Sequence, residues 1–297
     1  MQGLLGDRIA VVTGAGRGLG RAHALALARH GARVLVNDLD AGAAAQVCRE
    51  ITQLGGEALS DSANVQDAGA VDRMVAAALR HWGQVDILVN NAGILRDRTF
   101  AKLDVADFRL VMDVHLMGSV HCTRAVWQHM KERGYGRVVL TTSSSGLYGN
   151  FGQTAYSAAK MALVGLMQTL ALEGERHGIR VNCLAPSAAT QMTGELWSPE
   201  ELAALEPHRA SPAVVALASE RAPNKCILLA GAGSFKLAHI TMTQGVYLPD
   251  EEHAAEQILD GWHRIADRTG ELVPATGFEQ YRFEVAQARA HSPGAKS

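Results

Sequence analysis

The chain has 297 residues, 47% hydrophobic and 20% charged, a globular balance that excludes coiled coil, collagen and long disorder. Its 28 Lys and Arg against 30 Asp and Glu leave a net charge of -2, so no global field draws nucleic acid or an anionic membrane. No apolar run reaches the roughly 18 residues of a membrane span. The first residues form no secretory leader, and the last do not spell the Ser-Lys-Leu address. Four scattered cysteines (Cys48, Cys122, Cys183, Cys226) show neither a CxxC pair nor metal-ligand spacing. These features predict a reduced, cytoplasmic protein with no metal.

Short apolar runs alternate with Ala/Leu-rich segments of helical length. Strands are expected over 9–13, 33–38, 57–60, 85–90, 137–142, 179–185 and 225–230, and helices over 18–30, 41–54, 67–81, 104–133, 154–177 and 200–218. Most of these runs are continuously hydrophobic, as strands buried on both faces are. Strand–helix alternation then predicts an α/β fold, a doubly wound Rossmann-type parallel sheet of about seven strands with helices on both faces. Gly31, Gly83 and Gly178 stand where helices should end. The pattern stops near Gly233, so residues 1–233 form the expected domain. Residues 234–297 read as an extension with one helix over 249–267 and loop elsewhere, packed on the core or on a partner subunit.

TGAGRGLG at 13–20 follows the first strand and opens the first long helix. Gly14, Gly16, Gly18 and Gly20 lack Cβ atoms, so a pyrophosphate can approach the backbone N–H groups and the positive helix end. Asp38 stands 18 residues after Gly20, at the end of the second strand. There a carboxylate binds the adenosine ribose hydroxyls and repels a 2′-phosphate, favouring NAD over NADP. Arg17 pulls mildly the other way. The plainer alternative is a tight turn with Asp38 as a helix cap.

Downstream come NNAG at 90–93, Ser143 after the fifth strand, and YSAAK at 156–160 opening a long helix. Tyr156 and Lys160 are four apart and share a helix face. An ammonium beside a phenol lowers its pKa and suits it to general acid–base work on an alcohol or carbonyl oxygen. A serine hydroxyl at the neighbouring strand end can hydrogen-bond the same oxygen.

Together these four motifs resemble the short-chain dehydrogenase/reductase family over residues 6 to about 233. The resemblance implies hydride transfer between nicotinamide C4 and a carbinol or carbonyl carbon. It implies Tyr156 as the acid/base, Ser143 as the orienter of the substrate oxygen, and Lys160 as both a ribose contact and the tuner of Tyr156. It places Arg17, Leu19, Asn64, Val65, Asn91, Ala92, Gly93 and Pro186 against the cofactor, with Thr190 at the carboxamide. NNAGILRDR at 90–98, VHLMG at 114–118, YGNFGQ at 148–153 and GAG at 231–233 are similar to the (3R)-hydroxyacyl-CoA dehydrogenase units of peroxisomal multifunctional enzymes. That similarity implies a stand-alone dehydrogenase of 3-hydroxyacyl-CoA thioesters. The long helices over 104–133 and 154–177 resemble the family's four-helix dimer interface, and that resemblance implies a homodimer or homotetramer.

Two positions depart from the wider family. His115 stands where most members carry a proton-relay Asn, and reads either as a relay or as a core histidine. The usual Pro-Gly turn reads Pro186-Ser187. Met192, Leu196, Trp197 and Leu205 fall where the family carries a substrate lid. They suit an acyl chain or ordinary packing. Arg96, Arg98 and Lys102 suit a CoA phosphate or solvated surface. Two rival functions stay open: a steroid or other secondary alcohol as substrate, and a non-catalytic NAD-binding regulator.

Overall fold

A computed structural model describes residues 3–188, 198–249 and 252–291. The chain divides into two compact units, residues 1–238 and 239–297. In the first unit, β1 (Ile9–Thr13), β2 (Arg33–Asn37), β3 (Ala58–Asp61), β4 (Ile87–Asn90), β5 (Gly136–Thr141), β6 (Ile179–Pro186) and β7 (Ile227–Gly231) run parallel. β8 (Ser234–Ala238) returns antiparallel on β7, with Gly231 opposite Ser234. The sheet order is β3-β2-β1-β4-β5-β6-β7-β8.

The unbroken hydrophobicity of the strands has a direct cause. Ala10, Val12, Val34, Val36, Ile87 and Val89 pack on one face against α1 (Gly18–Arg29), α2 (Ala41–Gln53) and α9 (Ser211–Ala218). Val11, Leu35, Leu88, Val138, Leu140 and Val181 pack on the other against α3 (Ala68–Trp82), α5 (Gly118–Arg133) and α7 (Thr154–Glu175). Each fully buried Val, Ile or Leu contributes about 1.5–3 kcal/mol of transfer free energy. α7 is by length and composition apolar enough to cross a membrane, which the run-length reading missed. Here it is a core helix, with Leu163, Val164 and Met167 buried against the sheet.

Three helices start on aspartate caps. Asp40, Asp67 and Asp104 accept from the N–H groups of Ala43, Ala70 and Ala106 at the starts of α2, α3 and α4 (Val105–Met112). Gly31, Gly83 and Gly178 all have positive φ, as helix-ending glycines do.

The structure corrects three expectations. The sheet has eight strands among the described residues: β8 goes beyond the expected seven because SFKLA is largely exposed and carries no continuous apolar run. The 104–133 segment is not one α-helix. A π-helical turn, Asp113–Met117, separates α4 from α5. Between β5 and α7 lies the short α6 (Ser144–Tyr148), and the 200–218 segment splits into α8 (Pro199–Ala204), a 3-10 turn (Pro207–Arg209) and α9.

In the second unit, the expected 249–267 helix is two pieces, α10 (Ala254–Asp260) and α11 (Trp262–Ile265), parted at Gly261. A third helix, α12 (Gly277–Ala290), occupies a stretch read as loop. Its polar composition hides it from a search for apolar periodicity. Met242 and Leu272 form an antiparallel bridge, and the Thr243 hydroxyl donates to Ile265 O at 2.7 Å. Among the described residues of this unit only Gly261 is buried.

Candidate active site

The carboxyl ends of β1, β2, β4 and β5 carry the groups the sequence singled out. At the first crossover Gly14 has φ +61°, and a Cβ there would lie 2.8 Å from Ala92 Cα. A Cβ on Gly16 would lie 2.9 Å from the Asp38 carboxyl, and one on Gly20 would overlap Gly14 O. The turn therefore closes only on glycine. Gly18 also has positive φ.

Unlike α2, α3 and α4, α1 has no side-chain cap. Its N-cap residue Arg17 makes no capping bond, and no acidic residue stands in its first turn. Arg17 instead pairs with Asp40 at 2.9 Å. An uncapped helix start with no acidic residue in its first turn fits a pyrophosphate. Asp38 closes the crevice: Oδ2 accepts from Gly16 N at 2.9 Å and Oδ1 from Asp40 N at 3.0 Å. The capping alternative is thus resolved: Asp40 caps α2, and Asp38 holds the glycine turn.

Asn91 stitches β4 to β1. Its Nδ2 donates to Thr13 O and Gly14 O, both at 3.0 Å. The Thr13 hydroxyl accepts from Asn91 N at 3.0 Å and Ala92 N at 3.1 Å. Asn64 turns back on Gln66 and is exposed. Val65 is buried, and its carbonyl accepts from His121 Nδ1 at 2.9 Å in the tautomer protonated there. Leu19, in the first turn of α1, packs on the core, and Pro186 ends β6. Thr190, Met192, Leu196 and Trp197 lie outside the described residues.

Ser143, Tyr156 and Lys160 converge. Ser143 caps α6, its Oγ accepting from Ser145 N at 3.2 Å. The Ser143 side chain lies near enough to the Tyr156 phenol to favour its ionised form. Lys160 Nζ lies 5.5 Å from the Tyr156 ring centroid and donates to Thr141 O at 2.5 Å. Thr142 Oγ1 donates to Lys160 O at 2.6 Å and ties this turn of α7 to β5.

The electrostatics differ from the sequence expectation. Burial pushes the Tyr156 phenol above its usual range; Ser143 opposes this and Asp97 adds to it. The lysine lies over the ring face rather than on the hydroxyl, and its own pKa is pulled down to about 7 by burial.

His115 sits on the π-helical turn, buried, with its ring edge-on to Tyr156 at 5.3 Å. Its Nε2 lies 3.0 Å from Ile94 N and 2.8 Å from Ile94 O, accepting from one or donating to the other by tautomer. Its Nδ1 is buried without a partner. Burial first, and the Lys160 charge second, hold its pKa down to about 3, so the ring is neutral. Gly93 lies against it: a Cβ there would overlap the imidazole.

Arg96 pairs with Asp107 at 3.5 Å, and Arg98 Nη1 donates to Asp97 O at 3.1 Å. Lys102 is exposed in a 3-10 turn. Sequence reasoning gave no role to Asp97, Ser145 or Gln153, although 90–98 and 148–153 were both marked as motifs. Their side chains meet only because residues 98 and 153 pair across two loops.

Residues 8–201 match the family described as short chain dehydrogenase. A solved full-length peroxisomal multifunctional enzyme type 2 from Drosophila melanogaster superposes with a TM-score of 0.83 at 36% identity, covering 97% of this chain. The chain spans 51% of that enzyme's length. A 3-oxoacyl-[acyl-carrier-protein] reductase of Synechocystis sp. is 43% identical over 191 residues, 64% of this chain and 77% of the reductase. A 7α-hydroxysteroid dehydrogenase solved with NADH and 7-oxo glycochenodeoxycholic acid gives a TM-score of 0.73 at 31% identity, covering 78% of this chain and 96% of its own.

Proposed function

The chain belongs to the short-chain dehydrogenase family, and from that premise we propose that it transfers a hydride between NAD(H) and the 3-hydroxy/3-oxo carbon of an acyl-CoA thioester, with Tyr156 as acid/base. One observation carries the reading: the Ser143 hydroxyl, the Tyr156 phenol and the Lys160 ammonium converge beside a glycine turn built for a dinucleotide.

The uncapped start of α1 receives the pyrophosphate, and Asp38 accepts from the adenosine ribose. Arg17, neutralised by Asp40, offers no free cation to a 2′-phosphate, which supports NAD over NADP. Bound NAD supplies the hydride acceptor. The chain supplies the proton chemistry. Ser143 Oγ hydrogen-bonds the substrate oxygen and holds it at the phenol. In oxidation the Tyr156 phenolate takes the hydroxyl proton; in reduction the phenol returns it. Because burial raises the phenol, its ionisation needs positive charge nearby, which the oxidised nicotinamide of bound NAD would supply together with the protonated fraction of Lys160 over the ring.

The acyl-thioester assignment rests on the loop motifs at 90–98, 114–118 and 148–153, and on the 3-oxoacyl reductase among the relatives. A steroid or other secondary alcohol is the second reading, favoured by the hydroxysteroid dehydrogenase likeness. The test follows NADH absorbance with 3-oxoacyl-CoA thioesters and steroid ketones, with NADPH in parallel. Turnover on the thioesters with NADH supports the assignment. Silence there with turnover on the ketones transfers it to the second reading. Association into a dimer or tetramer is read by light scattering on the same sample.

A further inference from the structure

We propose that Asp97 is a positioning residue that acts through Gln153 and Ser145 to hold the Ser143 hydroxyl on the Tyr156 phenol. The proposal rests on the reading of Tyr156 as the acid/base. Three hydrogen bonds lead from Asp97 to Ser143, which stands beside Tyr156. Gln153 Nε2 donates to Asp97 Oδ2 at 2.7 Å. Ser145 Oγ donates to Gln153 Oε1 at 2.8 Å. Ser145 N donates to Ser143 Oγ at 3.2 Å, and the Ser143 side chain stands beside the Tyr156 phenol, where it favours the ionised form.

Each link has a geometric reason. Gln153 occupies the N-cap of α7, three residues before Tyr156, yet its side chain does not cap the helix. Serine, threonine, aspartate or asparagine usually serves there. The longer glutamine instead reaches across to the loop after β4. Arg98 N donates to Gly152 O at 2.9 Å, which brings Asp97 into range. A carboxylate can only accept, so Asp97 takes the Gln153 amide N–H and turns Oε1 toward Ser145. Asn150 Nδ2 completes the ring by donating to Ser145 Oγ at 2.9 Å. Ser145 is then left one orientation, and its backbone N–H faces Ser143.

The charged and titratable groups around the phenol are few. Asp97 reaches it from the loop after β4, Lys160 from α7 and His115 from the π-helical turn. Arg96 is engaged by Asp107 of α4, and Arg98 by the Asp97 carbonyl. Asp97 is therefore the one negative group named against Tyr156 among the described residues, and its charge favours the protonated phenol.

Two variants separate charge from orientation. Asp97→Asn keeps an acceptor oxygen for Gln153 and removes the charge. Asp97→Ala removes both. In oxidation, turnover rises with pH as the phenol ionises. Asp97→Asn should move that acid limb to lower pH by about half a unit at low salt, and by less at high salt. Asp97→Ala and Gln153→Ala should each lower kcat about tenfold, with the Kd for NAD unchanged; Asp97→Glu should restore part of the loss. The assay uses whichever alcohol the wild-type chain oxidises. Ultraviolet difference titration of the phenol, wild type minus Tyr156→Phe with NAD present, reads the same shift without substrate. An acid limb in Asp97→Asn that matches wild type, or a wild-type kcat in Asp97→Ala, overturns the proposal. A fully active Tyr156→Phe overturns the acid/base reading instead, so the two failures are distinguishable.

Discussion

The two ends of one sheet treat their buried titratable side chains in opposite ways, Arg137 and Asp86 at one and Lys160 and His115 at the other. Near the amino-terminal ends of β4 and β5, Arg137 is buried but its guanidinium donates to four carbonyls: Ser219, Gly136, Gly178 and Glu220. It also stacks 4.2 Å from the Tyr135 ring. Asp86 accepts from Ile9 N and Gln84 Nε2, both at 2.8 Å, and pairs with Arg8. At the carboxyl ends of the same strands, Lys160 has one carbonyl partner and His115 keeps an orphaned Nδ1. Burial pulls both pKa values down. Satisfied charge at one end holds the fold. The less satisfied side chains at the other lie where the proposed cofactor and substrate would bind, and they cost stability.

Substitutions at each end sharpen the contrast. The largest effect belongs to Tyr156→Phe, which should lower kcat about 10³-fold while the melting temperature and the Kd for NAD, read by fluorescence titration, stay near wild type. Arg137→Met leaves four carbonyls without their donor and should cost about 3 kcal/mol in urea unfolding, with kcat per folded molecule unchanged.

Lys160→Met should do the reverse of Arg137→Met, lowering kcat about 10²-fold while stabilising the chain by about 2 kcal/mol at pH 7. The pH sign can be worked out. Folded Lys160 titrates near 7 and the unfolded lysine near 10.5. Between those values the unfolded chain binds more protons, so wild-type stability rises with pH. The variant loses that slope, and unfolding curves from pH 7 to 10 check it. The smallest expected effect is at the cofactor turn, where Asp38→Ala should lower the NAD over NADP preference about tenfold in kcat/KM.

What could be read from the sequence follows from how local each signal is. The glycine turn, its following helix and Asp38 are adjacent in chain or one strand apart, and strand hydrophobicity reports burial directly. Tyr156 and Lys160 share one helix, so their pairing was legible as well. Asp97, Ser145 and Gln153 were not, because their meeting depends on a bridge between residues 98 and 153 that no periodicity encodes. The raised phenol was also hidden: spacing gives proximity, but desolvation depends on what covers the ring, here Ile94, Leu103, Phe108 and Met112. β8 and α12 escaped for the opposite reason, being largely solvent-facing and without an apolar stripe.

The wide turn at Asp113–Met117 amounts to one inserted residue in an otherwise α-helical rod. It shifts the phase of everything after it by about 100°. Cys122, Val126 and Met130 point into the core only in that shifted phase. Deleting a single residue from 113–117 would restore a regular helix, and would also rotate those three side chains out of register with α3. The insertion is thus a spacer that couples the placement of His115 to the packing of a helix two turns away.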